Sequence, residues 1–189
     1  VDGFRYYVLS DTSYGNDGDF TYEGLVSRYN SDLANNLGNL AARIASVVDK
    51  KCAGLGTAPN PDSPLAAFAK DAVAETSACW QLVQPSRALE ATWSLIRATN
   101  AHLENHEPRK AEPSDLLNTV MGDALEALRI VTLLAFPAIP DTAREIWRRI
   151  GMTTDIEQCR IPVDTEWGLY RAGSPVEKGT PLFPRRTVA

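Results

Sequence analysis

Apolar residues at Leu25, Tyr29, Leu33, Leu37, Leu40, Ile44, Val47 and Val48 recur mostly at steps of three or four, which predicts one long helix with a single apolar stripe. It should begin near Thr21, and Gly38 is the place for it to bend. Ahead of it, Asn16-Asp17-Gly18-Asp19 is turn chemistry, in which Gly18 supplies a permissive backbone and Asp19 can accept from the first free N–H groups of the helix. Further upstream, Phe4, Tyr6 and Val8 alternate with Arg5 and Tyr7, a pattern that fits a short strand and a turn of helix equally.

Pro59, Pro61 and Pro64 mark a loop, and Ser63-Pro64 places a capping hydroxyl ahead of proline at the first helical position, so a second helix is expected over Leu65 to Leu82. Pro85-Ser86 opens a third, with Leu89, Trp93, Ile96 and Leu103 on its buried face and Asn105 near its end. Glu107 to Pro113 then holds two prolines and four charged residues, a composition that suits an exposed connector and a place to look for function. Ser114 caps a fourth helix whose Leu117, Val120, Met121, Leu125, Leu128, Val131 and Leu134 form an apolar face broad enough for the centre of a bundle. Pro137 and Pro140 end it. Thr142 with Glu145 reads as a capping box for a short fifth helix carrying Ile146, Trp147 and Ile150, closed by Gly151. The tail from Glu166 to Arg186, with Trp167, Leu169, Leu182 and Phe183, is expected to be irregular and to pack on the bundle. The pattern predicts an all-α fold.

Composition adds bounds. The 189 residues, 44% apolar and 23% charged, fit one helical domain. The longest apolar stretch, Ile130 to Ile139, falls short of the ~20 residues that span a bilayer, and no secretory signal is visible. Three scattered cysteines, Cys52, Cys79 and Cys159, fit reduced thiols and a cytoplasmic location. A net charge of −5 argues against coating nucleic acid through bulk electrostatics but leaves room for a local basic site. Asp2 to Leu9 reads as the middle of an ordered element, so an N-terminal partner segment is expected.

Candidate chemistry is sparse. No glycine-rich phosphate loop, nucleophile elbow or zinc-type cysteine set occurs, and no catalytic residue is expected. His102 and His106 stand four apart on one helix face, but Glu104 lies on another and no third ligand is evident, so no metal site and no cofactor are expected in this chain. Asn39 and Arg43, also four apart, project away from the apolar stripe. They are either ordinary solvated residues or an amide that reads a base edge beside a guanidinium that holds phosphate.

The surrounding strings narrow the choice. Asp17-Gly-Asp-Phe-Thr-Tyr-Glu23 and Arg28-Tyr-Asn-Ser-Asp-Leu-Ala-Asn-Asn-Leu-Gly-Asn-Leu-Ala-Ala-Arg43 closely resemble the segment that follows the catalytic half of methionyl-tRNA synthetases. The likeness continues through residues 1–8, 100–110, 121–130, 145–151 and 179–184, and is strongest to the actinobacterial branch. The resemblance implies a helical bundle of the class I synthetase anticodon-binding type. Residues 1–18 would close the stem-contact linker, 19–151 would form the bundle, and 152–189 a C-terminal extension packed on it. It further implies that Asn39 and Arg43 contact anticodon bases, with Pro108 and Arg109 shaping the pocket. The family's catalytic signatures, His-Ile-Gly-His and Lys-Met-Ser-Lys-Ser, do not occur here, so ATP and Mg would bind in a separate catalytic half, a partner in cis or in trans. The implied function is recognition of methionine tRNA, anticodon CAU, as a non-catalytic part of methionine–tRNA ligase, with no membrane or DNA partner.

One departure matters. Where the family usually has Ala-Pro-Trp or Glu-Pro-Trp, with a tryptophan that stacks on the first anticodon base, this chain reads Glu107-Pro108-Arg109-Lys110. A stacked base is worth ~1 to 3 kcal/mol, roughly ten- to a hundredfold in affinity, unless the arginine plane stacks in its place. Arg109 is compatible with natural variation in a working synthetase, with an engineered change, and with a stand-alone paralog that binds another RNA or a protein. Trp80, Trp93, Trp147 and Trp167 are the other candidate stacking platforms, of which Trp93 and Trp147 fall on predicted core faces.

Overall fold

The computed structural model describes residues 1–11 and 18–187; Asn16 and Asp17 of the expected turn lie outside them. The architecture is all-α, and no strand occurs among the described residues. Among the described residues there are seven α-helices, α1 (Asp2–Asp11), α2 (Tyr22–Arg28), α3 (Asn39–Lys51), α4 (Pro64–Gln81), α5 (Pro85–His106), α6 (Asp115–Ala135) and α7 (Pro140–Arg149), with a π-helical stretch, Tyr29–Gly38, joining α2 to α3.

The ambiguous N-terminal segment is helical for a packing reason. Tyr6 and Tyr7, consecutive in sequence, are both buried, and a strand would send them to opposite faces. Tyr6 also donates from its hydroxyl to Asp32 at 3.0 Å. Thr21, not Asp19, caps α2: its hydroxyl accepts from the Gly24 N–H at 3.0 Å. The long stripe that follows is buried along Leu33, Leu37, Leu40, Ile44, Val47 and Val48 as expected, yet its middle ten residues take the wider π geometry. There the Trp93 indole donates to the Asp32 carbonyl at 3.2 Å, a side chain drawing on the ladder of the kind that accompanies such distortions.

The serine caps act as expected, Ser63 accepting from the Leu65 N–H and Ser114 from the Leu117 N–H. The capping box of α7 is not formed. The Thr142 N–H is satisfied instead by the Asp2 carboxylate at 2.7 Å, supplied from α1, while Glu145 pairs with Arg148 and Arg149. Gly151, with φ +76°, closes α7.

Helix α6 is the core. Every residue from Val120 to Ala135 is buried, including Asp123, Glu126 and Arg129. Three consequences follow from those charges. Asp123 accepts from the Asn60 N–H at 2.7 Å and the Ser63 hydroxyl at 2.6 Å, which draws the proline-rich loop onto α6. The loop comes so close that a Cβ on Gly122 would fall 2.1 Å from the Ala58 carbonyl oxygen. Glu126 and Arg129 form a buried two-pronged ion pair at 2.8 and 2.9 Å. Its outward side grips the tail: Glu126 accepts from the Gly168, Leu169 and Tyr170 N–H groups, and Arg129 donates to the Asp164 and Glu166 carbonyls. The irregular tail is thereby docked, its Tyr170, Val176 and Phe183 buried in the same core as the bundle. Trp93 and Trp147 are core residues as expected, at 3% and 4% exposure.

Candidate nucleic-acid interface

Asn39 opens α3 and Arg43 follows one turn later, so both look out over the same side of the helix. Asn39 is exposed, and its side-chain amide has no hydrogen-bond partner among the described residues, leaving two donors and an acceptor free. Arg43 is half-buried and held: Nη1 donates to the Asn100 side-chain oxygen at 3.2 Å and lies 3.8 Å from Glu104, both on α5. A guanidinium carries five donors in a fixed fork, so anchoring one nitrogen aims the others without exhausting them.

The two residues share an open cleft of about 740 Å³ between α3 and α5. Its charged walls are Arg43, Arg97, Arg109 and Lys178 against the single carboxylate Glu104, a local reversal in a chain of net charge −5. Asn39, Arg43 and Arg109 therefore stand round one opening. Pro108 does not line it; it is buried beneath a smaller recess that it shares with Arg43 and Arg109.

The loop that carries Arg109 is built, not slack. Glu107 takes a left-handed conformation, φ +41°, its carboxylate pairs with Lys110 at 2.6 Å, and Lys51 of α3 donates to the Ala111 carbonyl at 2.7 Å. These ties fix the loop beside the cleft while Arg109 stays exposed, with no carboxylate in ion-pair range among the described residues. Sequence reasoning missed Arg97, Asn100 and Glu104, whose signal is only their spacing along the outward side of α5, and Lys178, which reaches the cleft from the tail.

The remaining candidates lead elsewhere. The His102 and His106 rings face each other at 4.5 Å between centroids, and no group of three metal-ligating side chains occurs among the described residues. Burial, then the neighbouring His106, pushes the His102 pKa below the ordinary value of 6.5, which suits a neutral ring whose Nε2 lies 4.0 Å from Asp123. Trp167 donates to the Asn60 carbonyl at 2.9 Å and so ties the tail to the proline-rich loop. No described helix is long and apolar enough to cross a membrane.

Comparison with known proteins gives one consistent result. Residues 1–45 match the class I (M) tRNA synthetases. Methionine–tRNA ligases of Fusobacterium nucleatum, Streptomyces coelicolor and Listeria innocua are 31%, 32% and 34% identical to this chain, each over 98% of it. The matches take in 30%, 37% and 29% of those relatives, so the chain spans about a third of the length of the curated relatives it matches. Among solved structures, the apo, free-state methionyl-tRNA synthetase of Mycobacterium tuberculosis superposes with a TM-score of 0.88 at 29% identity, covering 100% of this chain and 39% of that one.

Proposed function

This chain is homologous to methionine–tRNA ligases over nearly all of its own length and about a third of theirs, and from that premise we propose that it binds tRNA and reads the anticodon for such an enzyme. The observation that carries the proposal is the convergence of Asn39, Arg43 and Arg109 on one basic, open cleft in an otherwise acidic chain. Single-stranded loops are read by side chains that hydrogen-bond base edges and by arginine planes that stack or hold phosphate, and the cleft offers a free amide beside an anchored guanidinium. Residues 1–18 act as the end of a linker, 19–151 as the reading bundle and 152–189 as an extension that packs on it. Methionine activation with ATP and Mg belongs to a catalytic half, in cis or in trans, and the setting is cytoplasmic.

The test is binding of this chain to a stem-loop bearing CAU against the same stem with a scrambled loop. The wild-type chain should prefer CAU. Asn39→Ala should reduce CAU binding about tenfold, the scale of one lost base-edge contact, without lowering Tm. Equal losses for both loops would defeat base reading and would favour a diverged module that binds RNA without the methionine anticodon.

A further inference from the structure

The cleft does not end at its base-reading residues. On the far side of Arg109 it meets a second recess, of about 330 Å³, whose charged walls are Lys50, Lys51 and Arg109, with no carboxylate. On its other side the wall is the docked tail. Lys178 lines the cleft directly, and Arg185 donates to the side-chain oxygen of Asn35, another cleft residue, at 2.9 Å. The tail is clamped in that position: Asn30 donates to the Arg186 carbonyl at 2.8 Å and accepts from its N–H at 3.0 Å, and the Phe183 ring is buried against Tyr29 at 5.9 Å between centroids.

Ion pairing sharpens the pattern. Arg28, Arg87, Arg97, Lys110, Arg129, Arg144, Arg148 and Arg149 each have a carboxylate partner within 3.4 Å. Lys50, Arg109, Lys178 and Arg185 are exposed and have none in range among the described residues. Among the described residues Arg5, Lys70, Arg160 and Arg171 also lack a carboxylate partner and lie elsewhere, but Lys50, Lys51, Arg109, Lys178 and Arg185 line the two adjoining recesses and the tail edge together, where an external polyanion completes them.

Building on the RNA-binding function proposed above, we infer that Lys50 on one side of the cleft and Lys178 and Arg185 on the other form a phosphate track for the RNA backbone. The C-terminal tail is then part of the RNA-binding surface as well as a cover for the core. The track holds phosphodiesters whatever the base, and the cleft between its two ends reads sequence. A strand laid across it runs from the end of α3, past Arg109 and Asn39, to the tail beside the π-helical stretch.

The experiment uses the whole chain and two labelled stem-loops, one bearing CAU and one scrambled, titrated over a series of salt concentrations. Lys50→Gln, Lys178→Gln and Arg185→Gln are compared singly and combined. All three positions are exposed, and glutamine at 185 keeps an amide donor for Asn35. Each phosphate contact contributes about 0.7 to 0.9 to the slope of log affinity against log salt. The triple variant should lose about 2 from that slope, so its deficit relative to wild type should grow roughly sixteenfold as salt falls from about 200 to about 50 mM, by the same factor for each loop. An unchanged slope, or a loss confined to the CAU loop, would overturn the track. If the track fails alone, wild type still prefers CAU in an Asn39-dependent way while the triple variant binds like wild type. If anticodon reading fails alone, both loops bind equally and Asn39→Ala is silent, but the triple variant still loses slope. A chain that binds neither RNA overturns both.

Discussion

Arg109 stands where three recesses meet, exposed and free of internal carboxylates, on a loop pinned by Lys51 and by the Glu107–Lys110 pair. The pinned backbone means that its side chain can be exchanged without moving the loop. Arg109→Trp should therefore strengthen binding of a CAU stem-loop by about tenfold, the value of one stacked base; unchanged affinity would mean that position 109 does not face a base. Its charge already belongs to the cleft, so the same substitution should also reduce the salt dependence by one contact. At this scale the sequence carried half of the candidate site. One helical turn joins Asn39 and Arg43, a spacing that fits solvated residues equally well, and it was the resemblance of the surrounding strings that singled them out with Arg109. Asn100, Glu104 and Lys178 were not legible, because their approach to Arg43 and Asn39 is made by tertiary packing across 57 or more positions, which no local spacing encodes.

Helix ends show the same division between local and distant causes. Ser63 and Ser114 cap the helices they immediately precede, so they could be read from the chain. The Thr142 to Glu145 pattern has equally good local credentials, yet the N–H it should serve is taken by Asp2, 140 positions away. Asp2→Ala should cost about 1 kcal/mol, a fall of roughly 2 to 4 °C in Tm. Thr142→Ala should stay within about 0.5 kcal/mol of wild type. Thermal melts that rank the two the other way would restore the capping box. The π-helical stretch was hidden for a different reason: apolar residues at three- and four-residue steps bury equally well in either helix, and the hydrogen-bond offset leaves no mark on that pattern.

For the molecule as a whole, the decisive pair is Glu126 with Arg129. Three residues apart on a helix, they would ordinarily be read as a solvated ion pair; here they are buried, and five backbone groups of the tail depend on them. Removing one member of such a pair strands the other, so Arg129→Met should cost about 3 to 5 kcal/mol. Trypsin should then cut first at tail sites such as Arg160 and Arg171, before the helices are attacked, whereas simultaneous loss of tail and bundle would show that the tail does not dock as a separate layer. The bundle itself was plain from periodicity, and the tail's packing was expected from its single hydrophobics; the buried ion pair that grips it was not, since two charges on a helix leave no mark on an apolar pattern.

The bond from Asp2 to α7 reaches further than its own helix end. Helix α7, about 15 Å long at 1.5 Å per residue, receives that carboxylate at one end, and at the other its Arg149 donates to the Lys178 and Thr180 carbonyls. One rigid span thus ties α1 at one end and, at the other, the tail segment whose Lys178 lines the far wall of the cleft, so a single helix sets the spacing between them.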